Sequence, residues 1–241
     1  MAWEVVLEPS FIPGGLDIFR VGKAYTIAEA AALAHTTSAT VRRWLQGYDQ
    51  PGHQMSPVFG GPKGRDDGQP LMVSFVELIE IIVVARFRKR APSGAILSLD
   101  RLRRAHAYAR KVFEVPYPFA SLKLREFGGH VLHQFEAAEP GPCHLVLDLH
   151  GQFVLPGLVR AEVERNIDFN GQFAERWFPF GRSSKLVVDP RVAAGRVTVV
   201  GSGVTVEALR RRWKDGEPIH SIAGDYEIPA DTIEEILQRV A

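Results

Sequence analysis

Between Thr26 and Leu45, in TIAEAAALAHTTSATVRRWL, apolar residues recur at helical spacing and predict two short helices joined by a tight turn. Ala31 is small where the two helices would cross. His35 stands at the turn four residues later, and Val41, Trp44 and Leu45 form the inner face of the second helix. The spacing recurs near the end of the chain, in SIAGDYEIPADTIEEIL, where Ala223, Glu227, Ile233 and Ile236 fall at the same offsets. Neither copy has glycine at the turn, although the expected left-handed backbone is uncommon for other residues.

The remaining pattern alternates helical and extended stretches. Residues 1–24 show no sustained period and read as an arm or a short strand, Glu4–Leu7. Residues 47–70 are dense in Gly, Pro and Asp, with extended pieces at Pro57–Phe59 and Leu71–Phe75, and predict a wing with a flexible tip. Ser74, with Glu77 three residues later, opens a helix to about Arg90 as a capping box. A second helix starts at Ser98, its apolar stripe carried by Leu99, Leu102 and Ala105 or His106, with Arg101, Arg103 and Arg104 expected on a solvated face. After Val115 the period shortens to two. Val131–Phe135, Cys143–Leu155 and Ile167–Phe178 read as strands, with His150-Gly151 and Asn170-Gly171 as turns and LVRAEVERNI as a short helix. An extended segment restarts at Lys185, the glycines of VTVVGSGVTV turn the chain, and three helices follow: Val206–Lys214, Ile219–Tyr226 and Ala230–Val240. The expected fold is α+β. It comprises a winged helix-turn-helix at 25–92, a helix plus a strand-rich middle region at 93–183, and a three-helix, helix-turn-helix-like domain at 184–241.

Charge separates the two helical pairs. The formal net charge is only +1, but residues 74–113 are rich in Arg and Lys whereas Asp and Glu outnumber them over residues 205–241. At 100° per residue, Ala39, Arg42, Arg43 and Gln46 lie opposite the inner face of the first pair's second helix. Ser38 and Thr40 flank them, and Thr37 or Ser38 can cap the helix toward a phosphate. Lys63 and Arg65 in the wing are further candidates for phosphate contact. The equivalent outward face of the second pair presents Asp231, Glu234, Glu235 and Gln238, with Arg239 its one basic residue. Three carboxylates would repel a duplex, so the first pair is the candidate DNA reader and the second a surface for a basic partner.

Other chemistry is thinly supported. The single cysteine, Cys143, excludes an internal disulfide and reads as a core residue. No apolar run is long enough to span a membrane and the N-terminus lacks a signal pattern, so a soluble, cytoplasmic chain is expected. On a strand, His130 and His133 would point to opposite faces. Asp148 and His150 share a face, but no third ligand is spaced to join them, so no metal, cofactor or catalytic site is expected. The glycines of VVGSGV lack the context of a phosphate cradle.

The segment YTIAEAAALAHTTSATVRRWLQGY resembles the start of MerR-type winged helix-turn-helix domains, and LMVSFVELIEIIVVARFRK resembles the helix after their wing. VVDPRVAAGRVTVVGSGVTVEALRRRWKDGEPIHSIAGDYEIPADTIEEIL resembles the antitoxin domain of unknown function 433. Together they are similar to the longer VapB-like antitoxins of bacteria. That resemblance implies a DNA-binding antitoxin that represses its own operon and neutralises a PIN-like ribonuclease toxin. Thr40, Arg42 and Arg43 match the recognition-helix positions, and Asp189-Pro190, Gly195, Gly201 and Gly203 match the C-terminal signature. Val197 and Thr205 stand where that family often has proline. The implied partners are operator DNA, the toxin and a second copy of the chain, with Ser98–Phe113 or the C-terminal helices as candidate interface. The alternative is a one-component transcription regulator sensing a small ligand in its middle region.

Overall fold

A computed structural model describes residues 16–50, 53–59, 70–89, 97–139, 147–149, 152–155 and 157–240. Helix α1 (Ile18–Val21), capped by Asp17, leads into strand β1 (Lys23–Thr26), and the first helical pair, α2 (Ile27–Leu33) and α3 (Ser38–Gln46), follows directly. The chain then makes a hairpin of β2 (Tyr48–Gln50) and β3 (His53–Met55). Strand β4 (Met72–Ser74) runs into α4 (Phe75–Arg88), where Ser74 and Glu77 form the expected capping box. Pro57–Phe59 does not pair with β4. Instead β4 lies antiparallel to β1, Tyr25 opposite Val73 and Thr26 opposite Met72, so the hairpin beside α3 is the shorter one at 48–55. Alternation alone could not choose β1, across the helical pair, over a nearer neighbour.

Almost every side chain of α4 from Phe75 to Phe87 is buried, as an apolar run interrupted only by Glu77, Glu80 and Arg86 requires. Its two carboxylates are satisfied inside the protein. Glu77 accepts from the Ser74 N–H at 2.8 Å and pairs with Lys23 of β1 at 2.5 Å. Glu80 accepts from the Phe119 N–H at 3.1 Å and lies 3.0 Å from His106 Nε2. Residues 16–22 are also part of this assembly rather than a free arm: Leu16 and Arg20 are buried, and Arg20 donates to the Asn170 carbonyl at 3.2 Å.

Helices α5 (Leu99–Phe113) and α6 (Leu122–Ala138) pack together beside α4. Helix α6 replaces the strand expected at Val131–Phe135. Leu124, Gly128, Val131, Leu132 and Phe135 make a buried stripe at helical spacing, which a five-residue window reads as alternation, and the Gly128-Gly129 pair is a packing site rather than a breaker. His130 and His133 are therefore one turn apart on a helix, not on opposite faces of a strand. Arg101 is not solvated either. It is buried beside Glu136 and donates to the Glu139 carbonyl at 2.8 Å, while Arg103 donates to the carbonyls of Ser56 and Pro57 at the base of the hairpin. Of the three arginines only Arg104 is exposed, between Asp100 and Glu139.

Strands β5 (Leu147–Leu149) and β6 (Gln152–Val154) pair across the expected turn, and α7 (Gly157–Ala161) continues into one turn of π-helix, Glu162–Asn166. Buried Glu162 accepts from Trp177 Nε1 at 2.6 Å and Arg86 Nε at 2.7 Å, tying this turn to α4. Strands β7 (Ile167–Asn170), β8 (Phe173–Trp177), β9 (Leu186–Val188) and β10 (Val197–Val199) form an antiparallel sheet in the order β10-β9-β8-β7. Helices α8 (Val206–Lys214), α9 (Ile219–Tyr226) and α10 (Ala230–Val240) close the chain. One apolar cluster gathers buried residues from Leu16 to Val188, and a second, around Leu209, Ile222, Ile233 and Ile236, begins at Leu186. Strand β9 belongs to both.

Candidate nucleic-acid interface and its acidic counterpart

The first helical pair is built by short-range bonds. Thr26 and Glu29 form a reciprocal capping box at the start of α2, and Thr37 caps α3 by accepting from the Thr40 N–H at 3.2 Å. Between them His35 takes the left-handed conformation, φ 51°, and the Thr36 N–H closes the turn on the Ala31 carbonyl at 2.9 Å. Ala30, Ala31 and Ala34 are buried against Val41, Trp44 and Leu45, so small residues on α2 let the second helix cross close to it. Burial, reinforced by Arg86 and Lys89, holds the His35 imidazole below its ordinary pKa.

What faces outward on α3 is Ser38, Ala39, Arg42 and Arg43, with Thr40 and Gln46 half-buried. A shallow groove of about 410 Å³ runs from Thr26–Ala28 past Ser38, Arg42 and Gln46 to Pro70 and Leu71. A second groove, of about 510 Å³, joins Arg42 and Arg43 to Gly47, Tyr48 and Asp49 at the hairpin. The Arg43 guanidinium lies 5.5 Å from the centre of the Tyr48 ring. Gly47 permits this arrangement: its φ is 75°, and a Cβ there would stand 2.2 Å from the Met55 carbonyl oxygen. Helix α3 thus presents two arginines between two grooves, with the hairpin beside them. Lys63 and Arg65 lie outside the described residues, as do Glu4–Leu7, Cys143 and His150.

The second pair repeats the turn with opposite chemistry. Glu227 is left-handed at φ 54°, and the Ile228 N–H closes on the Ala223 carbonyl at 3.1 Å, the bond made by Thr36 and Ala31 in the first pair. Thr232, Ile233, Ile236 and Leu237 are buried, and Asp231, Glu234, Glu235 and Gln238 are exposed. Lys185 donates to Thr232 Oγ1 at 3.0 Å. Arg212 of α8 pairs with Glu217 and Asp225 and lies 4.9 Å from the Tyr226 ring centre, clamping α8 to α9.

The two ends of the chain meet at a contact that no local pattern announces. The Tyr25 hydroxyl of β1, buried, donates to the Gly195 carbonyl at 2.9 Å; burial, with Glu29 and Asp189 nearby, pushes the phenol pKa up. Gly195 has φ 76°, and a Cβ on it would lie 2.0 Å from Tyr25 Oη, so both backbone and space require glycine. Burial alone would raise the Asp189 carboxyl, but hydrogen bonds from the Arg191 side chain and backbone outweigh it and hold the pKa below the usual carboxylate range. Gly201 and Gly203 both take positive φ in the turn before α8. Of the two residues that depart from the resembled C-terminal signature, Thr205 caps α8 by accepting from the Ala208 N–H at 3.1 Å, and Val197 opens β10 opposite Val188. Among the described residues no three His, Cys, Asp or Glu side chains are grouped to hold a metal ion, and no helix is long and apolar enough to cross a membrane.

Residues 186–238 match the family profile described as "Protein of unknown function (DUF433)". The chain is 26% identical over 229 residues to a curated protein of Mycobacterium tuberculosis named "Putative antitoxin VapB45", covering 90% of this chain and 93% of that protein. The crystal structure of Rv2018 from Mycobacterium tuberculosis superposes with a TM-score of 0.73 at 23% identity, over 89% of this chain and 97% of that one, and so shares its fold.

Proposed function

We propose that this protein is the DNA-binding antitoxin of a toxin–antitoxin pair: a winged helix-turn-helix of MerR type binds its own operator, and the C-terminal helices hold a ribonuclease toxin. The observation that carries the reading is the outward charge of the two pairs. On α3, Arg42 and Arg43 stand exposed with Thr37, Ser38 and Ala39 at the helix start, a face that can sit on phosphates and reach base edges. On α10, Asp231, Glu234 and Glu235 stand exposed with Gln238, a face complementary to the basic surface an RNA-cleaving protein needs. Similarity to a protein named as an antitoxin supports the same assignment. A homodimer would place two α3 helices on a symmetric operator. Co-expression with the adjacent small open reading frame tests the proposal. The expected result is a stable complex, rescue of growth and retention of promoter DNA. A neighbour that neither binds nor arrests growth would remove the antitoxin assignment.

A further inference from the structure

A groove of about 390 Å³ lies where the two ends of the chain meet, beside the Tyr25–Gly195 contact. One wall is Ala32 and Leu33 of α2. The other is Phe180, Val197 and Val206, from the loop after β8, the start of β10 and the start of α8. Its size falls near the lower end of small-molecule sites, about 300–1,000 Å³, and its walls are largely apolar.

Four charged residues line it, and they are not equivalent. The Glu29 carboxylate already accepts from the Thr26 N–H and hydroxyl, each at 2.8 Å. Glu207 sits in the first turn of α8, where the positive end of the helix dipole offsets its charge. Arg196 and Arg210 make no ion pair among the described residues, and both are exposed at the groove. Glu29 and Glu207 keep their negative charge but are held by their own helix starts, so the charged groups at the groove whose N–H donors lack a carboxylate among the described residues are Arg196 and Arg210. We propose that the groove binds a small apolar carboxylic acid, with the carboxylate against Arg196 and Arg210 and the apolar body between Leu33 and Phe180, Val197 and Val206. Guanidinium groups suit carboxylates through paired N–H donors, and the apolar walls reward a ring or short chain over a compact anion. A ligand touching α2 and α8 together binds the folded chain and not the unfolded one, so by linkage it stabilises the fold. The assignment does not depend on which macromolecule α3 or α10 holds.

Calorimetry with 3-phenylpropionate on the full chain tests this, with 3-phenylpropanamide and inorganic phosphate as controls. Saturable binding is expected, about tenfold weaker or more for the amide and undetectable for phosphate, with a rise in thermal midpoint. Arg196→Ala and Arg210→Ala should each weaken binding about tenfold. Ala32→Phe, which fills the groove from an exposed helix position, should abolish it, while circular dichroism shows each variant folded. Absence of saturable binding by both 3-phenylpropionate and hexanoate would overturn the proposal. So would equal affinity for acid and amide, or affinity unchanged by Arg196→Ala, Arg210→Ala and Ala32→Phe.

Discussion

In α2–α3 and in α9–α10 the chain makes the same turn with different residues. His35 and Glu227 both take left-handed backbone, and both turns close with a bond from the next residue to an alanine carbonyl, Ala31 or Ala223. Both second helices bury apolar residues on their inner faces. What differs is the side away from the core, arginine in one pair and carboxylate in the other. The inner positions therefore decide how the helices cross, and the outer positions, which contribute little to folding, are free to select a partner.

The largest expected effect breaks the shared part. Trp44→Ala should destabilise the protein by about 3–5 kcal/mol and Ile236→Ala by about 2–5 kcal/mol, measured by urea unfolding. Comparable losses would confirm that both inner faces are true cores. Next comes the outer face of α3. Arg42→Ala with Arg43→Ala should weaken binding to the promoter about 100-fold or more at unchanged stability, read by fluorescence anisotropy, and the salt dependence of binding should flatten. Unchanged affinity would move the DNA interface elsewhere.

Reversing the outer face of α10 sharpens the contrast. Asp231→Lys, Glu234→Lys and Glu235→Lys together should weaken the toxin complex about tenfold and add weak, salt-sensitive affinity for any duplex. Toxin affinity that survives the triple change would assign the partner to another surface.

The smallest effects lie at the turns. His35→Gly and Glu227→Gly should each stabilise by about 0.5–1 kcal/mol, since glycine takes the left-handed conformation without strain. His35 adds a pH term. Its folded pKa is lowered, mainly by burial, so the unfolded chain binds the proton more readily, and stability should fall as pH drops below about 6.5. Urea midpoints at neutral and mildly acidic pH should show this loss in the parent chain and less of it in His35→Gly.

Much of the architecture was legible because it is local. Capping at Ser74 and Thr37, the bounds of α8, α9 and α10, and the turn at Asn170-Gly171 rest on residues a few positions apart, within reach of periodicity and side-chain caps. The helix α6 was not. Its buried stripe runs from Leu124 to Phe135 across two buried glycines, and Gly128 lies against Leu155, a contact that no window along the helix contains. The burial of Arg101 is hidden from local pattern for a related reason, since the approach of Glu136 and the Glu139 carbonyl makes it tolerable.

By itself the sequence determined the helices α2, α3, α4, α5, α8, α9 and α10, where they start, and the charges on the outer faces of α3 and α10, because these depend on neighbours one turn away. The tertiary structure alone decided that β1 pairs with β4, that the hairpin beside α3 is the short one, and that Tyr25 meets Gly195, residues 170 positions apart. Such contacts follow from which faces remain unburied once every local element has formed, and no periodicity along the chain records that competition.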